Sequence, residues 1–183
     1  MPIKNIPSVL RHGILSNNRA ANLNHHSVAS LVIQTRRNKK IPGGTFLHDY
    51  ANLYFHARNP MMYSLLTKSE VCVLRVSDEV FSIPATIVTD RNAACDFVRY
   101  YPVSEIDQLD FDLIYAQDWR CPNNPMEYFR RKTAKSAEVL VRDRVPPELI
   151  IGAYVKNNNA RVGLVEQGFD REIVINSDIF FGR

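Results

Sequence analysis

The chain has 183 residues, of which 45% are hydrophobic and 23% charged, and its net charge is +4. This is the ordinary composition of a folded globular protein and excludes a disordered or fibrous chain, and the length predicts a single domain over residues 1–183. Every apolar run is shorter than the roughly 18 residues that a membrane-spanning helix needs, so we expect no association with a membrane.

The cysteines also bear on location. Cys72, Cys95 and Cys121 show neither a CxxC pair nor the spacing of a metal site. The first residues contain no apolar segment of the kind that a signal peptide needs. These features predict reduced thiols, no metal ion and a cytoplasmic protein.

The first half of the chain alternates short predicted helices and strands. Asn5 is expected to begin a helix that Gly13 ends. The basic residues at 36–40 are expected to leave the core, and a turn follows at 41–44. Pro60 is expected to begin another helix. The predicted strands of this half are 51–56, 70–76 and 85–89.

The second half is richer in strands. Ser104 is a candidate N-cap for a helix through Leu109. The basic residues at 130–135 are interpreted as a loop, and 156–159 as a polar turn. The predicted strands here are 137–141, 150–155 and 172–175. Because these elements do not alternate as regular βαβ units, the pattern favours an α+β domain over a doubly wound sheet.

The segment 46–66 combines aromatic and imidazole rings, one arginine and two methionines within 21 residues. Its polar members, His48, Asp49, His56 and Arg58, are costly to bury unless they are paired. The mixture is typical of a wall that holds a flat, polar and charged ligand. An ordinary strand edge that continues into a helix is the alternative, and composition alone favours it.

Two basic clusters are also informative: they comprise Arg36, Arg37, Lys39 and Lys40, and then Arg130, Arg131, Lys132 and Lys135. Tyr128 and Phe129 precede the second cluster. Basic residues beside aromatic ones can contact phosphates and stack on bases, a combination used for single-stranded nucleic acid. For either cluster alone a solvated loop is the favoured explanation, and only the two together make nucleic-acid binding an equal alternative.

Five segments together carry a family resemblance. HDYANLYFHARNPMMY at 48–63 resembles a block of the DarT-type DNA ADP-ribosyltransferase toxins. IQTRRNKKIPGG at 33–44, TDRNAA at 89–94 and KSAEVLVRDRVPPELI at 135–150 resemble further blocks of that family. IPSVLRHGILS at 6–16 is similar to its N-terminal helix. The five matches occur in the family's order along the chain.

The resemblance implies a compact ADP-ribosyltransferase fold of mainly antiparallel sheets with short helices. It implies NAD as co-substrate, no metal, and a thymine or guanine base in single-stranded DNA as acceptor. An antitoxin that removes ADP-ribose, of the macrodomain type or another, is the implied partner. Glu138 falls at the family's catalytic glutamate, which would stabilise positive charge on the ribose and accept a proton from the base.

The resemblance also implies an essential arginine. Either Arg36 or Arg37 takes its place and would bind the pyrophosphate through paired oxygens. The candidate NAD-binding residues, all in the 46–66 segment, are Tyr54, Arg58, Met62, Tyr63 and His48. A methionine on a helix more often fills a core, and a structural role is favoured for His48. The candidate DNA-binding residues are Arg130, Arg131, Lys132 and Lys135 of the basic cluster, with Asn92 from the TDRNAA block.

Two departures from the family keep alternatives open. The family's first strand and its Thr-His pair have no counterpart near Pro2. Either the true start lies upstream of Met1, or the chain is shortened, or it binds NAD differently. Asn92 stands where many thymine-modifying members carry a histidine, and thymine and guanine both remain open. The alternative functions are a catalytically impaired single-stranded nucleic-acid-binding protein of the same fold, and an ADP-ribosyltransferase that acts on RNA or protein.

Overall fold

The structure, a computed structural model, describes residues 1–66 and 70–182. The α-helices of this part are α1 (Ile6–His12), α2 (Asn17–Ala20), α3 (Leu31–Arg37), α4 (Pro60–Ser64), α5 (Phe111–Tyr115), α6 (Pro125–Ala134) and α7 (Asn158–Glu166). The strands are β1 (Ile14–Leu15), β2 (Tyr50–Tyr54), β3 (Cys72–Val76), β4 (Ile87–Thr89), β5 (Tyr100–Pro102), β6 (Glu138–Arg142), β7 (Arg144–Val145), β8 (Ile150–Val155) and β9 (Glu172–Ile175). The 3-10 helices are Ile3–Asn5, Leu47–Asp49, Asp78–Ser82, Val103–Gln108, Pro147–Leu149 and Ser177–Phe180.

The strands form three sheets. The largest has the order β2-β6-β4-β5 and is antiparallel throughout. A second has the order β3-β8-β9, in which β3 and β8 are antiparallel and β8 and β9 are parallel. β1 and β7 form a short antiparallel pair. The predicted α+β class with mainly antiparallel sheets is confirmed.

Separate apolar clusters pack against the two larger sheets. One joins Ile6 of α1 and Leu164 of α7 to β3 and β8, and both side chains are fully buried. The other joins Val88 of β4 to Val139 and Val141 of β6. Burial of such side chains is the main stabilising contribution to a domain of this size. This packing holds β6 inside the sheet, and the first residue of β6 is Glu138.

The register of the four-stranded sheet sets the position of that first residue. β2 runs antiparallel to β6, and Tyr54 at the end of β2 lies opposite Glu138 at the start of β6. On the other side of β6, Val88 pairs with Val139, so Thr89 at the end of β4 lies beside Glu138. Residues at the ends of three neighbouring strands therefore lie side by side at one end of the sheet.

Helix boundaries agree with the sequence where local signals are strong. Asn5 precedes α1 and Gly13 ends it. A side chain at Gly13 would be excluded, because its backbone is left-handed with φ 83° and a Cβ there would lie 2.0 Å from the carbonyl oxygen of Val145. Pro60 begins α4, and the Asn59 side chain accepts the Met62 N–H at its start.

Three expectations were wrong. Residues 130–135 do not form a loop, because the Asn124 side chain accepts the Glu127 N–H and Pro125 begins α6, which extends to Ala134. The polar turn at 156–159 is instead the start of α7, capped by Asn157. The helix through Leu109 is a 3-10 helix, Val103–Gln108, and Ser104 lies inside it.

The N-terminal residues lie beside β3. Pro2 forms an isolated antiparallel bridge with Val71, and the Ile3 N–H donates to the Glu70 carbonyl at 3.0 Å. Cys72 is buried in β3, while Cys95 and Cys121 are half-buried, and all three are free thiols in the part of the chain that the structure describes. Over the same residues, no helix is both long and apolar enough to span a membrane.

Candidate active site

Glu138 and Arg37 form a buried ion pair at the end of the four-stranded sheet where β6 begins. Arg37 Nη1 donates to both carboxylate oxygens of Glu138, at 3.2 and 3.0 Å. The Ala93 N–H donates to Oε1 at 3.2 Å. Glu138 is 0% exposed and Arg37 is 5% exposed, whereas the neighbouring Arg36 is exposed. Of the two arginines that the sequence left open, Arg37 is therefore the one that contacts Glu138.

The electrostatics of this pair are unusual for a structural ion pair. Burial raises the pKa of the Glu138 carboxyl, and the charge and hydrogen bond of Arg37, the Ala93 N–H and the charge of Lys39 oppose that shift. Taking both charges out of water carries a large desolvation cost, which such pairs rarely recover in full. Strongly perturbed carboxyl groups with a specific charge partner are concentrated in functional sites.

Two buried polar atoms beside the pair are left without a partner among the described residues: the donor Arg37 Nη2, and His48 Nε2, which is an acceptor in the neutral ring because the other ring nitrogen donates to the Gln34 carbonyl. The pKa of His48 is lowered by burial and by the charge of Arg37, so its ring is neutral at pH 7. Buried polar atoms are almost always hydrogen-bonded, and those that are not call for an explanation. A ligand with anionic oxygens would supply the acceptor that Arg37 Nη2 lacks, and the pyrophosphate of NAD fits this requirement.

Two predicted residues, Tyr54 and Asn92, are also close to the ion pair. Burial raises the pKa of the Tyr54 hydroxyl, and the charge of Glu138 raises it further. The Asn92 side chain forms a hydrogen bond that opposes this shift, which places the amide beside the phenol. The Asn92 side chain also accepts the Ala94 N–H at 2.9 Å. The structure thus brings Tyr54 and Asn92 to the same end of the sheet as Glu138.

The 90–95 segment, residues 90–95 after β4, is held against Glu138 by side chains to which the sequence assigned no such role. The Thr89 hydroxyl accepts the Glu138 N–H at 3.1 Å and donates to the Arg91 carbonyl at 2.7 Å. The Tyr100 hydroxyl donates to the Ala93 carbonyl at 2.9 Å. Lys39 Nζ donates to the carbonyl of Cys95 at 2.9 Å. The TDRNAA block at 89–94 is the only sequence signal that pointed to this segment.

Arg58 was predicted to bind NAD, but the structure gives it other partners. Its guanidinium donates to the carbonyls of Gln117 and Asp178 and stacks on the Phe181 ring, with 4.1 Å between the guanidinium carbon and the ring centroid. Tyr63 is largely exposed and packs edge-to-face on the same Phe181 ring, with the centroids 5.3 Å apart. Neither side chain forms a hydrogen bond with Arg37 or Glu138 in the described part of the chain.

Met62, a candidate for lining the NAD cleft, has the core-filling role that the sequence also allowed. It is 8% exposed and belongs to an apolar cluster with Val71 and Phe180. An unbranched side chain of this kind fills irregular gaps in a core. The role that the structure gives Met62 is packing between α4 and the C-terminal 3-10 helix.

Lys135 was predicted to contact DNA, and this is also corrected. The residue is 1% exposed, and its amino group bonds the His56 ring and the carbonyls of Ile114 and Ala116, the latter two at 2.8 and 2.7 Å. Burial and the charge of Arg58 lower the pKa of Lys135 to about 8. With all its donors used inside the protein, Lys135 fixes the end of α6 and does not reach an incoming phosphate.

The other predicted DNA contacts lie on α6. Arg130 pairs with Asp110 at 3.0 Å, Arg131 pairs with Glu127 at 2.8 Å, and Lys132 lies over the Tyr128 ring. Phe129 is 54% exposed on the same helix. Exposed ion pairs contribute little stability, so phosphates can replace the carboxylates at small cost. Three cations and an exposed aromatic ring therefore occupy the helix that leads to Glu138.

Whether a metal ion could bind depends on how the possible ligands are grouped. Within residues 1–66 and 70–182, no three His, Cys, Asp or Glu side chains are grouped as metal ligands would be.

Comparisons with known proteins identify related sequences and folds. A family model described as "ssDNA thymidine ADP-ribosyltransferase, DarT" matches residues 1–181. The chain is 28% identical over 193 residues to a DNA ADP-ribosyl transferase-DNA ADP-ribosyl glycohydrolase fusion protein of Thermosipho africanus, and covers 47% of it with 98% of its own length. It is 30% identical over 162 residues to a DNA ADP-ribosyl transferase of Thermus sp., with 81% of this chain and 75% of that protein covered. The chain thus spans about half of the fusion protein.

Solved structures of the same two proteins are similar in fold. Thermosipho africanus DarTG in complex with ADP-ribose superimposes with a TM-score of 0.86 at 26% identity, over 98% of this chain and 49% of that one. Thermus sp. 2.9 DarT in complex with ADP-ribosylated ssDNA gives a TM-score of 0.85 at 25% identity, over 98% and 93% of the two chains.

Proposed function

The chain belongs to the DarT family of single-stranded DNA thymidine ADP-ribosyltransferases, and on that premise we propose that it transfers ADP-ribose from NAD to thymine in single-stranded DNA. The observation that carries the proposal is the buried Arg37–Glu138 pair, in which Arg37 Nη2 is left as an unpartnered donor. A structural ion pair would have its neighbouring donors satisfied.

The reaction breaks the bond between the ribose and nicotinamide and forms a bond from the same ribose carbon to a base nitrogen, which loses its proton. Positive charge develops on the ribose as nicotinamide leaves, and the Glu138 carboxylate would stabilise it. Glu138 would also accept the proton from the base. Arg37 would hold the pyrophosphate, since its Nη2 is buried, free and can donate. His48 packs beside Arg37 and would accept a hydrogen bond from the co-substrate through Nε2. Tyr54 would pack against the bound co-substrate.

The DNA strand would approach over α6. Arg130, Arg131 and Lys132 would bind its phosphates, and Phe129 would stack on a base. A single-stranded acceptor suits this surface because stacking needs an unpaired base. Asn92 lies beside Tyr54 and would contact the base that reacts.

The partner and the location follow from the same proposal. The Thermosipho africanus relative is a fusion with a DNA ADP-ribosyl glycohydrolase. We infer that an enzyme of that class opposes this chain as its antitoxin and removes the mark from DNA. A cytoplasmic site of action is proposed because DNA is the acceptor and the cysteines are free thiols.

Labelling with NAD that carries a tag on the ADP-ribose tests the proposal. Equal amounts of a thymine-containing oligodeoxynucleotide, a thymine-free one that contains guanine, an RNA and a protein are offered together. We expect label on the thymine oligodeoxynucleotide alone, and none with Glu138→Gln. Label on the guanine oligodeoxynucleotide, RNA or protein would replace the acceptor proposed here.

A thermal shift with NAD in the absence of DNA separates an enzyme from a nucleic-acid-binding protein of the same fold. Because NAD would bind only the folded chain, it should raise the melting temperature with the logarithm of its concentration once that concentration exceeds Kd. An oligodeoxynucleotide that binds while NAD causes no shift and no label would favour the binding protein.

A further inference from the structure

The 90–95 segment contacts Glu138 and is itself bonded by the hydroxyl groups of Thr89 and Tyr100. The proposed function assigns neither hydroxyl group a contact with a substrate. We propose that Thr89 and Tyr100 are positioning residues that set the orientation of the Glu138 carboxylate through this segment, an inference that rests on the proposed function.

Thr89 ties the backbone of Glu138 to the start of the segment. The last backbone pair between β4 and β6 is Val88 with Val139, and Thr89 lies one residue beyond it. Its hydroxyl accepts the Glu138 N–H at 3.1 Å and donates to the Arg91 carbonyl at 2.7 Å. Thr89 is 0% exposed, so no water replaces either bond. One hydroxyl therefore sets the spacing between the first residue of β6 and the 90–95 segment.

Tyr100 ties the middle of the segment to the opposite strand. Its hydroxyl donates to the Ala93 carbonyl at 2.9 Å, while the Ala93 N–H donates to Glu138 Oε1 at 3.2 Å. Thr89 and Tyr100 are directly opposite each other in the β4–β5 register. Both ties thus come from one cross-strand pair at the base of the loop that contains the segment. Burial raises the pKa of Tyr100 to about 12, so its hydroxyl remains a donor throughout the neutral range.

The carboxylate is consequently held from two sides. Arg37 donates to both oxygens from α3, and Ala93 donates to Oε1 alone. The Arg37 contact permits rotation of the carboxylate, because a single nitrogen makes it. The Ala93 N–H removes that freedom, since it selects one oxygen. A small error in the orientation of a reacting group lowers the rate of the chemical step more than it lowers binding.

Steady-state kinetics on four single variants test the proposal. Tyr100→Phe and Thr89→Val each remove one hydroxyl, Thr89→Ser retains it, and Tyr101→Phe is the matched control in the same strand. For each, kcat and KM are measured for NAD and for a thymine oligodeoxynucleotide, together with the melting temperature and the pH profile of kcat.

We expect Tyr100→Phe to lower kcat about tenfold, the effect of one hydrogen bond of ordinary strength, with both KM values within about twofold. Since the Ala93 N–H lowers the pKa of Glu138, the acid limb of kcat should also move to higher pH. Thr89→Val should lower kcat in the same way, and Thr89→Ser should recover most of it. Tyr101→Phe should match the wild type.

Two results overturn the inference, and a third overturns its premise. An unchanged kcat in Tyr100→Phe, when the wild type labels DNA, overturns the positioning role. A loss that follows only a raised KM or a lowered melting temperature overturns it as well, because a structural role alone would give that pattern. Absence of DNA labelling by the wild type overturns the proposed function itself.

Discussion

The Arg37–Glu138 pair gives the sharpest test of the structure, through a double-mutant cycle on stability. Glu138→Leu leaves a guanidinium that is 5% exposed without its carboxylate, and Arg37→Met leaves a carboxylate that is 0% exposed without its guanidinium. Removing one partner of a buried pair costs about 3–5 kcal/mol. For a chain of this length that cost lowers the melting temperature by about 6–20 °C. Each single variant should still fold at 25 °C if the wild type has a typical stability.

The double variant should behave differently. With both charges replaced by apolar side chains, the desolvation cost disappears, and replacement of a buried pair is about neutral or stabilising by 1–4 kcal/mol. We therefore expect Arg37→Met with Glu138→Leu to be more stable than either single variant. DNA labelling should be lost in all three, so the double variant would separate the loss of activity from the loss of stability.

Urea unfolding at pH 7, followed by circular dichroism, measures the four free energies. Arg36→Ala is the control on the same helix, and because Arg36 is exposed its effect should lie within about 0.5 kcal/mol. Additive losses in the double variant would show that the two side chains do not interact, and the assignment of Arg37 over Arg36 would fail.

Three further outcomes are expected. Burial and the charges of Lys135 and Arg58 lower the pKa of His56 to about 4 from 6.5, so its stabilising contribution is present above pH 6.5 and is lost as the pH falls towards 4. His56→Gln should therefore reduce the fall in melting temperature between pH 7 and 5. An equal fall in the variant and the wild type would contradict this. Arg58→Lys should cost about 1–2 kcal/mol in urea unfolding, through the lost stacking on Phe181 and the lost fork of donors. A raised KM for NAD without that cost would instead support the NAD contact predicted from the sequence. Lys132→Ala should reduce the salt dependence of oligodeoxynucleotide binding by about 0.7 in log–log slope, and an unchanged slope would remove Lys132 from the DNA surface.

The parts of the fold that could be predicted are those with local signals. The strands 150–155 and 172–175 were predicted with the bounds that the structure gives, because each contains adjacent β-branched residues and has polar residues at its end. α1 was predicted from Asn5 and Gly13, since these residue types commonly begin and end helices. The family resemblance, which the family model confirms over residues 1–181, supplied the antiparallel sheets that local patterns alone could not establish.

The site depends on contacts that no local pattern specifies. Arg36 and Arg37 are adjacent, and the direction in which α3 presents each of them decides which is buried. Lys135 belongs to a run of basic residues, yet its acceptors come from carbonyls about twenty residues earlier in the chain, at Ile114 and Ala116. Arg58 meets the carbonyl of Asp178 across 120 positions. The roles of Glu138, Arg37, His48 and the α6 cations stay predictions until the variants are measured.

The attachment of α3 has a consequence for how the protein opens. Leu31 and Val32 are 85% and 62% exposed, and Arg37 is the one residue of this helix that the structure buries. Detaching α3 would therefore uncover little apolar surface, so the free energy of that local opening depends weakly on denaturant and on temperature. It depends instead on whether the carboxyl group opposite Arg37 is ionised. Protonation of Glu138 would remove the charge that holds Arg37, so the group that controls the attachment of this helix is the one proposed to perform the chemistry.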